Sequence, residues 1–301
     1  MPAELISGKL ISAQIYENLK SRIENLKTKF DTVAGLAVIL VGDNPASQVY
    51  VKMKSKMCDQ LGLTSEEFRL SSSITQNELI GIIESLNSNP NIDGILVQLP
   101  LPKHINEEEI IYAISPDKDV DGFHPVNVGK LLIGNPKFIP CTPFGVWVLL
   151  NNSGHSVEGK HVVIVGRSNI VGKPLMAMLC QKHKNANATV TICHSRTPNL
   201  PDITRMGDIL IVAMGVPEFI KKDMVKPGAV VIDVGINRIP DESSSTGYRI
   251  VGDAAYNELS EIASAITPVP GGVGPMTIAM LMHNTVLSCE LKKGIKSNPI
   301  I

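Results

Sequence analysis

In the second half of the chain four short strand-like segments, at 161–165, 188–193, 208–213 and 229–234, alternate with segments of helical or turn character. Strands alternating with helices in this way are the signature of a parallel sheet covered by helices on both faces. The first half repeats the alternation. Gly35 to Val41 (GLAVILV) and Gly94 to Leu99 read as buried strands, and helices are expected from about Ser47 to Leu61 and over 106–114. Thr75 with Glu78 three residues later forms a capping-box pattern ahead of Leu79, Ile82, Ile83 and Leu86, which predicts another helix. The predicted fold class is α/β, and 301 residues at roughly 150 per domain suggest two domains.

Asn135 to Gly159 holds six prolines or glycines around a short apolar run, which places the domain boundary near residue 146. Leu10, Ile11, Ile15, Leu19, Ile23 and Leu26 recur near helical period among charged residues, so an amphipathic helix is expected there rather than a targeting segment. The long uncharged stretch from Ile262 to Cys289 is broken by Pro268, Pro270, Gly271, Gly272, Gly274 and Pro275. It predicts one buried helix after Pro275, not a membrane span.

Charge narrows the partners. Twenty-eight basic residues against 29 acidic ones give 28 − 29 = −1, so no net positive field exists to hold nucleic acid or an anionic membrane. Five cysteines without a Cys-x-x-Cys pair point to a reducing compartment, here the cytoplasm. The seven histidines show no ligand spacing, and no metal is expected.

The segment VVIVGRSNIVGKP places Gly166 directly after a strand and Gly172 at the start of an expected helix reaching about Lys182. A glycine at the strand end permits a sharp turn, and the following helix start offers free N–H groups to a phosphate. The spacing departs from Gly-x-Gly-x-x-Gly, so a plain tight turn stays open as a reading. The next strand ends in Cys193-His194-Ser195-Arg196 with no acid to bind a free ribose 2′-hydroxyl. Ser195, Arg196 and Arg167 instead suit a 2′-phosphate, which favours NADP over NAD; solvated arginines are the alternative.

Tyr50 and Lys54, four residues apart on a predicted helix, share one face and can address one ligand. Lys54 acts as a base only if its pKa falls; otherwise Lys52, Lys54 and Lys56 form a solvated stripe. Gln98 interrupts the apolar run GILVQLPLP and requires a hydrogen-bond partner, structural or functional. Asp121 in PDKDVDG is either a ligand for a donor-rich heterocycle or a turn residue. TPVPGGVGP from Thr267 lets backbone approach a flat ligand, or connects domains.

Taken with IPCTP from Ile139 and PVPGGVGPMT from Pro268, these ordered motifs resemble the bifunctional methylenetetrahydrofolate dehydrogenase/methenyltetrahydrofolate cyclohydrolase family over nearly the whole chain. The resemblance implies a folate-binding catalytic α/β domain of residues 1–145 with 277–301, a doubly wound NADP-binding Rossmann domain of residues 146–276, a cleft between them, and a homodimer formed through the Rossmann domains. It implies that Tyr50, Lys54, Gln98 and Asp121 are catalytic, with Leu99, Pro270, Gly271 and Gly272 also lining the folate pocket. Gly166, Arg167, Ser168, Ser195 and Ile236 then surround the dinucleotide.

The chemistry so implied is oxidation of 5,10-methylenetetrahydrofolate by hydride transfer to NADP, then hydrolysis to 10-formyltetrahydrofolate in the same pocket. Lys54 takes the proton of the attacking water, Gln98 orients its amine, Tyr50 stacks on or hydrogen-bonds the substrate, and Asp121 reads the donor edge of the pterin. Two rivals remain: a monofunctional NAD-dependent methylenetetrahydrofolate dehydrogenase of the same fold, and a non-catalytic NADP-sensing module that has no use for Lys54 or Gln98.

Overall fold

The structure is a computed structural model that describes residues 2–244 and 247–295. The chain opens with β1 (Glu4–Leu5), α1 (Gly8–Phe30), β2 (Gly35–Val41), α2 (Pro45–Leu61), β3 (Thr64–Leu70), α3 (Gln76–Ser88), β4 (Gly94–Val97), α4 (Glu107–Ala113) and α5 (Pro125–Leu132). There follow α6 (Cys141–Asn152), β5 (His161–Val165), α7 (Gly172–Leu179), β6 (Thr189–Cys193), α8 (Leu200–Thr204), β7 (Ile209–Val212) and β8 (Val230–Asp233). The last elements are β9 (Asn237–Pro240), β10 (Tyr248–Val251), α9 (Tyr256–Leu259), β11 (Ala265–Ile266) and α10 (Val273–Lys292). Two compact units result: Gln14–Cys141 with Ile278 onward, and Thr142–Thr277 with the residues up to Ala13.

The first unit is built on a parallel sheet in the order β3-β2-β4. All seven residues of β2 are buried, as expected of a central strand covered on both faces. Ala37, Ile39 and Val41 pack with Leu79, Ile83 and Leu86 of α3. Local signals fix where the helices begin. Asn44 Oδ1 accepts from the N–H groups of Ala46 and Ser47, Pro45 occupies the first turn, and Gly62 closes α2 at φ 73°. The expected capping box is present, with Thr75 N donating to Glu78 Oε2 at 2.8 Å and Glu78 N to Thr75 Oγ1 at 3.3 Å.

β3 was not foreseen from TSEEFRL, since an edge strand exposes many of its side chains and lacks the aliphatic signature. In α1, Ile15, Leu19, Ile23 and Leu26 form the buried stripe, whereas Leu10 is exposed. Arg22 clasps Glu290 of α10 through Nε (2.9 Å) and Nη2 (2.6 Å), binding an early helix to the last one.

The second unit carries a six-stranded sheet in the order β1-β11-β8-β7-β5-β6, with every pair parallel. The four expected strands are β5, β6, β7 and β8. From β5 the chain passes first to β6 on one side and then to β7 on the other, so the sheet's switch point lies at the carboxyl ends of β5 and β7. Val163, Val165, Leu210, Val212 and Val231 form a core with Leu200, Ile220 and Leu259.

Three expectations change. The folate domain is expected to include residues 1–13, yet Glu4 and Leu5 pair with Ala265 and Ile266 and extend the six-stranded sheet. The break between units falls at 141/142 instead of near 146, because the Pro/Gly-rich stretch contains α6. Phe144, Val146, Trp147, Val148, Leu149 and Leu150 are all buried, so this helix shows no polar face to betray it, and Pro143 lies in the first turn where its missing N–H costs nothing. The helix expected to reach Lys182 stops at Leu179. The polar stretch Ser243 to Ser245 falls between the antiparallel strands β9 and β10, with Ser245 outside the described residues.

Candidate active site

In the first unit, α2 delivers Lys54 into the interior, where it is only 7% exposed. Its neighbours Lys52 and Lys56 are exposed, since residues two apart on a helix point to nearly opposite sides. The stripe reading therefore fails. Lys54 Nζ donates to Gln98 Oε1 at 2.9 Å, and Gln98, one residue past β4, is itself held by its Nε2 bond to the Leu99 carbonyl at 2.8 Å and its N–H bond to the Ile39 carbonyl at 2.9 Å. Burial pushes the lysine pKa down, while Asp121 and Cys141 act in the opposite sense.

Asp121 completes the cluster. Burial raises its pKa, the Lys54 charge lowers it, and Asp119 raises it further. The two acids of PDKDVDG divide the work. Asp119 is buried and accepts from Phe123 N (3.2 Å), His124 N (2.8 Å) and Asn127 Nδ2 (2.8 Å), which makes it the turn-forming residue. That turn leads into α5 and leaves Asp121 to face the lysine.

Cys141 belongs to this cluster although sequence reasoning gave it no role. Its thiol donates to the Val120 carbonyl at 3.3 Å, and burial followed by the Asp121 charge holds its pKa well above the usual thiol range. Asn284, on α10, was missed as well. Its Nδ2 donates to the carbonyls of Val120 (2.8 Å) and Ile139 (3.0 Å), so it fixes the backbone next to both Asp121 and Cys141. IPCTP was a visible signal for Cys141; for Asn284 only burial in three dimensions reveals the role. Tyr50 is half-buried one turn before Lys54, and Leu99 is half-buried beside Gln98.

The other predicted pocket residues lie in the second unit. Gly271 has φ 111° and its carbonyl accepts from Lys9 N at 3.2 Å; a Cβ on Gly8 would come within 1.8 Å of the Gly272 carbonyl oxygen. Pro270 is exposed at the head of this loop.

The residues predicted to hold the dinucleotide cluster at the carboxyl ends of the second sheet. Gly166 has φ 135°, and a Cβ there would lie 2.2 Å from the Ala213 carbonyl oxygen; one on Gly172 would lie 1.9 Å from the Gly166 oxygen. The loop is thus closed on itself by backbone alone. Ser168 Oγ accepts from Val171 N at 3.1 Å, and no side chain caps the start of α7. Val165 pairs with Cys193, so Arg167 and Ser195 leave neighbouring strands side by side, both exposed. Arg196 N donates to His194 Nδ1 at 3.1 Å, which orders the same turn. A glycine-closed loop, an uncapped helix start and two adjacent exposed donors fit the pyrophosphate and 2′-phosphate of NADP. Ile236, past β8, is 46% exposed. Among the described residues no His, Cys, Asp or Glu cluster suits a metal, and no helix is long and apolar enough to cross a membrane.

Residues 6–121 match the tetrahydrofolate dehydrogenase/cyclohydrolase catalytic domain, and residues 140–293 match the NAD(P)-binding domain of the same family. The chain is 56% identical to the bifunctional protein FolD of Acetivibrio thermocellus over 296 residues, covering 98% of this chain and 100% of that one. Among solved structures, the bifunctional FolD methylenetetrahydrofolate dehydrogenase/cyclohydrolase of Campylobacter jejuni is 51% identical with a TM-score of 0.90, covering 96% of this chain and 99% of that one. The Trypanosoma brucei FolD, solved with NADP cofactor and an inhibitor, is 38% identical with a TM-score of 0.92, covering 99% and 100%. Matched in both halves and along its length, the chain belongs to the tetrahydrofolate dehydrogenase/cyclohydrolase family.

Proposed function

We propose that this protein oxidises 5,10-methylenetetrahydrofolate to 5,10-methenyltetrahydrofolate with NADP and then hydrolyses the product to 10-formyltetrahydrofolate. The observation that carries the reading is the buried Lys54, bonded to Gln98 and facing Asp121. A dehydrogenase alone has no need of an amine biased toward its neutral form, and a nucleotide sensor has no need of the cluster at all. The relatives described above as bifunctional support the same choice over a monofunctional NAD enzyme.

NADP, when bound, supplies the hydride acceptor. Gly166, Arg167, Ser168, Ser195 and Ile236 would hold it, and Arg167 and Ser195 would supply donors for its 2′-phosphate. Asp121 orients the pterin by accepting from its N–H edge, and Tyr50 packs on it.

In the second reaction a water oxygen bonds to the cationic methenyl carbon, and Lys54 Nζ takes the water proton. The ring carbon–nitrogen bond to N5 then breaks with its electron pair going to N5, which takes up a proton as the added hydroxyl loses its own to become the formyl carbonyl on N10; the proton taken by Lys54 is the one released overall. Gln98 Oε1 engages one N–H of the neutral amine, which turns the nitrogen lone pair toward the water. The nearby cationic substrate disfavours a second positive charge and so keeps Lys54 neutral.

We infer in addition a homodimer formed through the second unit, supported by β6, an edge strand with one unpaired side. The five unpaired thiols suit the reducing cytoplasm.

Absorbance of the methenyl species tests the main reading. With NADP and methylenetetrahydrofolate it should rise and then decay, and supplied methenyltetrahydrofolate should be consumed faster than in buffer. A rise without enzymatic decay would leave only the dehydrogenase. Light scattering on the eluting protein should return twice the chain mass.

A further inference from the structure

Beneath Ile236 two buried carboxylates share one hydrogen-bond network that the reaction itself does not use. Asp253 is 0% exposed and Asp233 is 3% exposed. Asp253 Oδ2 accepts from the N–H groups of Met214 (2.6 Å) and Gly215 (2.8 Å), and its Oδ1 accepts from Asn237 Nδ2 (2.8 Å). Asp233 Oδ1 accepts from Gly235 N (2.9 Å) and Asp253 N (3.0 Å), and its Oδ2 accepts from Ala254 N (2.8 Å). The packing leaves no slack, since a Cβ on Gly235 would come within 2.2 Å of Asp253 Oδ1 and one on Gly252 within 1.8 Å of Asp233 Oδ2.

The strand order gives this network a purpose. β6, which leads to Ser195, flanks β5, which leads into the phosphate loop, and β7 and β8 follow on the other side. A dinucleotide with its 2′-phosphate at Ser195 and its pyrophosphate at Gly166 must extend its nicotinamide half across the ends of β7 and β8. Met214 and Gly215 lie at the exit of β7, and Gly235 and Ile236 lead from β8 to Asn237, the first residue of β9. Asp253 grips both, and Ile236 is presented between two residues that the carboxylates hold.

Building on the NADP reading above, we propose that Asp253 is a positioning residue for the nicotinamide half of the cofactor, acting through the Met214–Gly215 backbone and through Asn237. The adenine half, seated at β5 and β6, lies outside its reach.

The discriminating probes are NADP and adenosine 2′,5′-bisphosphate, which carries the adenine half alone, titrated calorimetrically into the intact protein. Asp253→Asn keeps an oxygen for the two backbone N–H groups but sets its amide against that of Asn237. One lost charge-assisted hydrogen bond predicts that NADP binds about tenfold more weakly, while the bisphosphate affinity changes by less than about twofold. Combining it with Asn237→Asp reverses donor and acceptor and should restore NADP binding. Equal weakening of both ligands, or no weakening of NADP, overturns the proposal. If Asp253→Asn does not fold, Asn237→Ala is read the same way: selective loss of NADP affinity supports the role, and unchanged NADP affinity overturns it. A wild-type protein that binds neither probe would instead reject the underlying NADP reading.

Discussion

Lys54 Nζ stands 2.9 Å from Gln98 Oε1, so an ionisable amine is matched in the interior to an uncharged amide rather than to a carboxylate. A neutral acceptor stabilises the ammonium less than an ionised one would, and burial then decides the direction of the lysine pKa. Lys54→Met should lower the cyclohydrolase kcat by about a hundredfold to ten-thousandfold, the usual worth of a positioned base, and leave measurable hydride transfer. Parallel initial rates of the two reactions check this, and a normal cyclohydrolase rate in the variant would remove the lysine from the mechanism.

The pH dependence has a definite sign. A base works when unprotonated, so cyclohydrolase kcat should rise with pH along a limb below the ordinary lysine value of about 10.4. Asp121 opposes the downward shift of Lys54. In Asp121→Asn the limb should therefore move to lower pH, measured as kcat at saturating methenyltetrahydrofolate. A limb that moves upward would contradict the assigned coupling.

Arg167 and Ser195 leave adjacent strands at the carboxyl edge of their sheet. Arg167→Leu should weaken NADP by about 1.5–3 kcal/mol, the range for a hydrogen bond to a charged group. NAD, which has no 2′-phosphate, should be affected far less. KM values for the two dinucleotides give the comparison; equal losses would place the arginine elsewhere on the cofactor.

His283 is buried in α10, and burial together with Arg22 lowers its pKa from 6.5 to about 3. The unfolded chain takes up a proton below about 6.5 that the native state refuses until about pH 3. Stability from this group is thus present above the unfolded pKa and is lost as pH falls, at about 1.4 kcal/mol per pH unit. Between pH 7 and 5 wild type should lose about 2 kcal/mol more than His283→Gln, read from urea midpoints at the two pH values. Parallel losses would exclude the histidine.

Asn284→Ala strips hydrogen bonds from the buried carbonyls of Val120 and Ile139. The cost should be about 2–3 kcal/mol, as for buried acceptors left unpaired. Thermal unfolding measures this loss. Cyclohydrolase kcat should fall as well, because the two carbonyls lie close in the chain to Asp121 and to Cys141 at the start of α6.

Legibility in the sequence followed physical signature. β5, β7 and β8 were plain because strands buried on both faces are written in unbroken aliphatic residues, and α3 was plain because its capping box is a local signal. β3, on an edge, and α6, apolar all round, carry no periodic contrast and stayed hidden. At the site, Lys54 was distinguishable from Lys52 and Lys56 in principle, since the helix turns it away from both. Asp119 and Asp121 could be separated only by seeing which of them receives the turn's N–H groups. Asn284 was illegible because its partners lie 164 and 145 residues earlier in the chain.

That separation orders events on the ribosome. The strands from β5 to β8 are all synthesised before α10 begins, whereas the backbone beside Asp121 gains its Asn284 support only once α10 has been made. A growing polypeptide would have the strands of its nucleotide seat in hand before the support beside its pterin site, and a ribosome stalled ahead of residue 284 would hold out a chain whose Val120 and Ile139 carbonyls still lack that partner.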